Sequence, residues 1–264
     1  MNPMSFKLVL AGVFVIFLSS LSVSASGISH APRIHEKDSA STSYNWGGYA
    51  VTGPKGAVTD VVGAWIVPAV DCASTPNSYS SFWVGIDGYN SKTVEQIGTD
   101  SDCKGTTPTY SAWYEFYPKM AYTITSMNVQ PGDVIQAEVK YTGNGGFTAT
   151  IRNLRTNKNF SISQKVNRAD QSSAEWIFEA PSSGGILPLA NFGTVNLGLD
   201  YTGIASTNTA TVNNVKGPIG SFGTLAVQQI TMNSKSNPSI IKAQPSALTA
   251  DGTSFTGKWL NKGP

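Results

Sequence analysis

SFWVGIDGYNSKTVEQIGT, residues 81–99, reads as a β-hairpin. Its first half has a period of two: Trp83, Gly85 and Asp87 fall on one side of an extended chain, Phe82, Val84 and Ile86 on the other. Gly88-Tyr89-Asn90-Ser91 supplies turn chemistry. Residues 94–98 resume the alternation, with Val94 and Gln96 together and Glu95 and Ile97 opposite. One side of the hairpin is ordinary apolar packing. The other carries an indole, a glycine and carboxylate or amide groups, a mixture suited to a site.

The flanking chain continues in the same style. Residues 45–51 (NWGGYAV) carry a glycine pair that permits close backbone approach, and residues 58–67 alternate up to Pro68. Residues 111–117 (SAWYEFY) set Trp113, Glu115 and Tyr117 on one face, and residues 134–141 (VIQAEVKY) alternate cleanly. Gly143-Asn144-Gly145-Gly146 is a strong hairpin signal. Residues 174–179 (AEWIFE) place Glu175, Ile177 and Glu179 opposite Ala174, Trp176 and Phe178. Residues 100–109 read as a polar loop. No segment has a helical stripe, and turn signals recur every ~8–12 residues, which predicts an all-β sandwich or barrel in one domain.

Composition narrows the chemistry. Only 13% of the 264 residues are charged and the formal balance is +2, so nothing supports a nucleic-acid-binding surface. Lys7 precedes an apolar run over residues 8–18 that is short of the ~20 residues of a membrane span. Small residues at Val23-Ser24-Ala25 follow, so residues 1–25 are expected to be a cleaved signal peptide, with no membrane attachment afterwards. Residues 26–43 read as a polar linker or short pro-segment and residues 44–264 as the domain. Secretion makes the two cysteines, Cys72 and Cys103, a disulfide. Both histidines, His30 and His35, precede the domain, so histidine-dependent triads and histidine-bound metals would have to recruit that polar segment. No metal or cofactor is expected, and the domain is expected to be a monomer.

Catalysis would then rest on carboxylates. Asp87, Glu95, Glu115, Glu175 and Glu179 all have aromatic company, and an acid desolvated beside Trp or Tyr gains a pKa suited to proton transfer. Taken singly, each is more simply an outward-facing strand carboxylate, and an aromatic stripe is more simply core. The conjunction of Trp with a carboxylate on three alternating strands argues for a cleft.

In order, NWGGYAV, FWVGIDG, VEQIGT, AWYEFYP and AEWIFE resemble the motifs of the glutamic peptidases, or eqolisins, from about residue 45 into the 230s. The resemblance implies a concanavalin-like β-sandwich of two large antiparallel sheets and a secreted acid endopeptidase acting on polypeptides without a cofactor. It places the catalytic glutamate on Glu175 and the catalytic glutamine on Gln96. Asp87 and Glu115 match acids behind that pair, and Trp46, Trp83, Trp113 and Tyr117 match aromatic positions of the cleft. Strand alternation turns Glu95 to the other face, a structural position. The chain departs from fungal members in its single cysteine pair and short pro-segment. The implied pH profile is a bell in the acid range, roughly pH 3–5 from ordinary carboxyl values. Two other readings remain open: a glycoside hydrolase using Glu115 and Glu175, which leaves Gln96 without a task, and a non-catalytic carbohydrate-binding sandwich that uses the aromatics alone.

Overall fold

The computed structural model describes Met1 and residues 41–263, so residues 2–25 of the expected signal peptide, most of the expected linker and both histidines lie outside the described residues. The strands are β1 (Thr42–Ser43), β2 (Trp46–Thr52), β3 (Val58–Ile66), β4 (Ser81–Ile86), β5 (Val94–Lys104), β6 (Thr107–Tyr117), β7 (Tyr122–Thr123), β8 (Val134–Gly143), β9 (Gly146–Asn153), β10 (Lys158–Lys165), β11 (Ser173–Glu179), β12 (Thr194–Leu197), β13 (Thr209–Val212), β14 (Val215–Pro218), β15 (Val227–Asn233), β16 (Ile241–Pro245) and β17 (Phe255–Trp259). A single helical turn, α1 (Leu199–Thr202), and a 3-10 turn at Ile219–Phe222 interrupt them.

Pairing arranges the strands in two antiparallel layers. The front layer runs β15–β2–β11–β4–β5–β6–β7. The back layer runs β10–β9–β8–β3, after which β3 pairs with β13–β14 along one half and with β12–β17–β16 along the other. β15 belongs to both layers: residues 227–230 pair with β2 in front, and residues 231–233 with β1 and β16 behind. Among the described strands β1 alone pairs in parallel, with β15. A strand that changes sheet in this way closes one corner of a sandwich.

The alternation of residues 81–99 produces the layering. Phe82, Val84, Ile86 and Ile97 join Tyr49, Val51, Phe116, Trp176 and Phe178 in the core, against Val61, Trp65, Ile135, Val139, Phe147 and Ile151 of the back layer. Two tryptophans bury their rings there and find polar partners across the gap, Trp176 Nε1 donating to the Val62 carbonyl (2.8 Å) and Trp65 Nε1 to Thr99 Oγ1 (2.9 Å). Residues 100–109, expected as a loop, are strand except at 105 and 106: 107–109 open β6 and 100–104 extend β5. The two pair with each other, and Ser101 and Cys103 also donate their backbone N–H to the carbonyls of Ser80 and Ser78. The polar side chains of Asp100 and Asp102 meanwhile bond to Ser81 Oγ and the Ser80 N–H.

The Cys72–Cys103 disulfide is present, with Cα atoms 5.3 Å apart and a sequence separation of 31. Closing a loop of that size lowers the chain entropy of the unfolded state by about 3–4 kcal/mol in the loop-closure account. It ties the loop before β4 to the end of β5, two neighbouring strands of the front layer.

Candidate active site

Residues directly opposite in an antiparallel pair point to the same side of a sheet. Following the register across the front layer gives one row: Gln228 (β15), Ala50 (β2), Glu175 (β11), Gly85 (β4), Gln96 (β5) and Glu115 (β6). Glu175 and Gln96 stand two strands apart, a backbone separation of about 9.5 Å. The intervening residue is a glycine. A Cβ on Gly85 would lie 3.0 Å from the Trp83 ring and 3.2 Å from Gln96 Cβ, so the space between acid and amide exists because no side chain fills it. Gln96 Nε2 donates to Glu115 Oε2 at 2.5 Å, which fixes the amide and leaves its second N–H uncommitted.

The next row on the same face is Gly48, Ile177, Trp83, Gly98 and Trp113, and the one after it Trp46, Glu179, Ser81, Asp100 and Ser111. Trp83 meets Trp46 edge to face, ring centroids 4.8 Å apart, and donates its Nε1–H to Glu179 Oε2 at 2.7 Å. Trp46, Trp83, Trp113, Val94, Ile177 and Tyr89 form an apolar cluster separate from the core, with Tyr117 packed against it. These residues are buried, so the face of the front layer turned away from the core has apolar packing of its own.

The turn between β4 and β5 folds over this face. Strand alternation ends at Ile86: Asp87 has φ 72° and Gly88 φ 105°, conformations that reverse the chain and bring Tyr89 back onto the cluster. Asp87 therefore departs from the strand pattern. Its carboxylate accepts from the backbone N–H of Gln171 (2.7 Å) and Ser172 (2.9 Å), stapling the turn to the segment that leads into β11. Glu115 stands beside Gln96, and Asp87 is bonded to this neighbouring loop while its charge acts on Glu175 and Glu95.

Glu175 and Gln96 are both fully buried. Burial pushes the Glu175 carboxyl well above its ordinary value of 4.5, and the charges of Asp87 and Glu95 push it further. The Ser173 hydroxyl and the Tyr89 backbone N–H act in the opposite direction, though neither closes a hydrogen bond of good geometry to either carboxyl oxygen. Tyr89 is raised in turn, by burial and then by Glu175. Among the described residues no group of three or more His, Cys, Asp or Glu is placed to hold a metal ion.

Glu95 occupies the opposite face, across from Ile86 and Phe116, and is fully buried. Burial, then the Asp87 charge, raises its carboxyl well above 4.5. An acid that stays protonated when folded but ionises when unfolded contributes its full stability below the unfolded pKa. That contribution is lost as pH rises from about 4.5 towards the folded value. Glu95→Gln is therefore expected to flatten the decline of unfolding free energy above about pH 4.5 while leaving catalysis near the parental level. Denaturant unfolding across this range, beside a peptide assay, measures both. An activity loss as deep as that of a Gln96 substitution would place Glu95 in the site.

The structure thus gathers Glu175, Gln96, Glu115, Trp46, Trp83, Trp113 and Tyr117 on one face and sets Asp87 at its edge. Tyr89 and Ser173 are additions that the sequence did not single out. Tyr89 sits in what reads only as turn chemistry, and Ser173 precedes the AEWIFE motif by one residue. Glu179 carried a signal, the period of two shared with Glu175.

The sequence profile of the Peptidase A4 family matches residues 44–241. Aspergillopepsin-2 of Aspergillus niger is 32% identical over 176 residues, covering 58% of this chain and 62% of its own. Scytalidopepsin B of Scytalidium lignicola is 32% identical over 182 residues, covering 64% of this chain and 66% of its own. The matched part thus spans just under two thirds of the length of these curated relatives. Among solved structures, scytalido-glutamic peptidase with a transition-state analogue inhibitor superposes with a TM-score of 0.65 at 24% identity, over 82% of this chain and 98% of that one. Aspergilloglutamic peptidase from Aspergillus niger gives 0.57 at 26% identity, over 69% and 99%. The first likeness is one of fold, and it agrees with the two-layered β architecture.

Proposed function

Because this chain belongs to the Peptidase A4 family, we propose that it is a secreted endopeptidase in which Glu175 moves the protons and Gln96 stabilises the oxyanion. The observation that carries this reading is the row Glu175–Gly85–Gln96–Glu115. A peptide carbonyl seated over Gly85 has a carboxyl on one side and an amide, held by Glu115, on the other.

In the hydrolytic cycle, ionised Glu175 takes a proton from a water as its oxygen attacks the scissile carbonyl carbon. The carbonyl oxygen gains negative charge and accepts from the free N–H of Gln96, a neutral donor at any pH. Protonated Glu175 then gives its proton to the leaving nitrogen, the C–N bond breaks, and the carboxylate is regenerated. Every atom comes from water, peptide and Glu175. Secretion is supported by the disulfide, which persists in oxidising compartments, together with the signal-like residues 1–25.

The pH window follows from the same groups. The acid limb of kcat/KM reports Glu175 ionisation in the free enzyme, and burial sets it above the 4.5 of an exposed glutamate. The alkaline side is bounded by the stability lost as the buried carboxyls ionise. Burial thus moves the acid limb upward from where ordinary carboxyls would put it.

A glycoside hydrolase built on Glu115 and Glu175 is disfavoured, because their strands are three spacings apart, about 14 Å, and Glu115 is bonded to Gln96. Incubation of purified protein with denatured casein and with β-glucan, from acid to neutral pH, is the deciding experiment. New peptide termini by mass spectrometry, without released sugar, are expected. Sugar release without peptide cleavage overturns the proposal.

A further inference from the structure

A pocket of about 540 Å³ opens at the end of the front layer where β5 and β11 begin and β2 and β6 end, lined by Lys55, Lys92, Arg168, Asp170, Thr93 and Pro118, among others. Its walls come from four separate loops, and those loops are tied together. Gly56 N–H donates to the Asp170 carbonyl and Gly53 N–H to that of Ser172, each at 2.8 Å. Asp87 fastens the β4–β5 turn to Gln171 and Ser172, and Ser91 Oγ accepts from the Gly88 N–H.

The charge of the pocket is positive. Lys55 is paired with Asp170 at 2.5 Å, which cancels both. Lys92 and Arg168 remain, exposed and without a hydrogen bond or ion pair among the described residues. Arg168 has φ 65°, a left-handed conformation that glycine or asparagine adopts at lower cost. A long cation stands at a position whose backbone does not favour it.

The pocket also lies beyond one end of the strands that carry the reacting row. Thr93 is three residues before Gln96, just ahead of β5, and Asp170 five before Glu175, with Gln171 at φ 51° turning the chain between them. At ~3.4 Å per extended residue these set upper bounds of about 10 and 17 Å, the reach of up to roughly three to five residues of an extended peptide.

We propose that this pocket is a subsite for an acidic side chain of the peptide substrate, about three to five residues from the scissile bond, with Lys92 and Arg168 as its specificity-determining residues. The assignment rests on the peptidase reading above. The contacts are solvent-exposed ion pairs, so the expected preference is modest, about three- to ten-fold in kcat/KM and expressed through KM.

The test uses peptides of fixed core sequence in which glutamate, cysteic acid, glutamine or lysine is moved through each position on both sides of the cleaved bond. In the parent, acidic residues at one distal stretch should lower KM. Lys92→Glu and Arg168→Glu should each weaken that preference and together reverse it towards lysine, with a smaller change for the glutamine peptide than for the charged ones. The glutamate preference should fade as pH drops through about 4, where its own carboxyl protonates, while that of cysteic acid persists. Binding of the same peptides to the uncleaving Glu175→Gln variant, at low and high salt, gives a readout without turnover. Cleavage without any acidic preference, or a preference surviving both reversals, overturns the subsite alone. Charge-dependent, salt-sensitive binding in a protein that cleaves no peptide overturns the peptidase reading instead.

Discussion

Glu175→Gln is expected to lower kcat/KM for peptide hydrolysis by at least about 10²–10⁴-fold, the range that a positioned acid–base group supplies. The substitution keeps the shape of the side chain and removes only its ability to take up and return a proton. No other described carboxyl shares the gap over Gly85 in the same way. Glu115 lies on the far side of Gln96, and Glu95 is on the opposite face of the sheet. The same change has a second, opposite effect. Glu175 is a fully buried carboxyl raised well above 4.5, so ionisation of the unfolded chain weakens folding as pH rises. Glutamine has no such penalty, and the variant should be as stable as the parent at low pH and more stable towards neutrality. Loss of turnover with a gain in unfolding midpoint separates a catalytic role from a structural one. Retained turnover, or activity lost together with stability, rules out the assignment.

Gln96→Ala is expected to cost about 10²–10³-fold, mostly in kcat, because the amide contact to the oxyanion forms as charge develops. Here stability should move the other way. Glu115 Oε2 loses the Gln96 donor it now has at 2.5 Å, and removing one partner of a buried hydrogen bond is destabilising by about 1–3 kcal/mol. Gln96→Glu does not restore activity. It places a carboxyl beside Glu115 and across Gly85 from Glu175, raises the pKa of its neighbours by like-charge repulsion, and should push the acid limb of kcat/KM to higher pH. Steady-state kinetics of both variants over pH checks this. A Gln96→Glu enzyme with parental kcat and an unmoved acid limb excludes Gln96 as the oxyanion donor.

The period of two along residues 81–99, 111–117 and 174–179 is a property of the extended chain itself, in which successive side chains point to opposite sides. Sequence therefore sufficed to set Gln96 and Glu95 on opposite faces of one strand, to place Glu115 with Trp113 and Glu175 with Glu179 within theirs, and to pair Cys72 with Cys103. The same alternation marks Phe82, Val84 and Trp176 as core, and ordered motifs along most of the domain carried the family. Local pattern contains no register, however. That Glu175 stands opposite Gly85 and Gly85 opposite Gln96 depends on pairing between strands up to ninety residues apart (175 − 85), which follows from the packing of the whole sandwich. Residues 100–104 read as loop because their side chains are polar, yet they are strand, since Ser80 and Ser78 offer backbone partners. Asp87 continues the alternation on paper. A positive φ, stabilised by the backbone amides of Gln171 and Ser172, takes it out of the strand and carries Tyr89 over the site. Burial, and with it the raised pKa of Glu175 and Glu95, is likewise set by what the rest of the chain packs around each carboxyl, because desolvation is a property of surroundings rather than of neighbours in sequence.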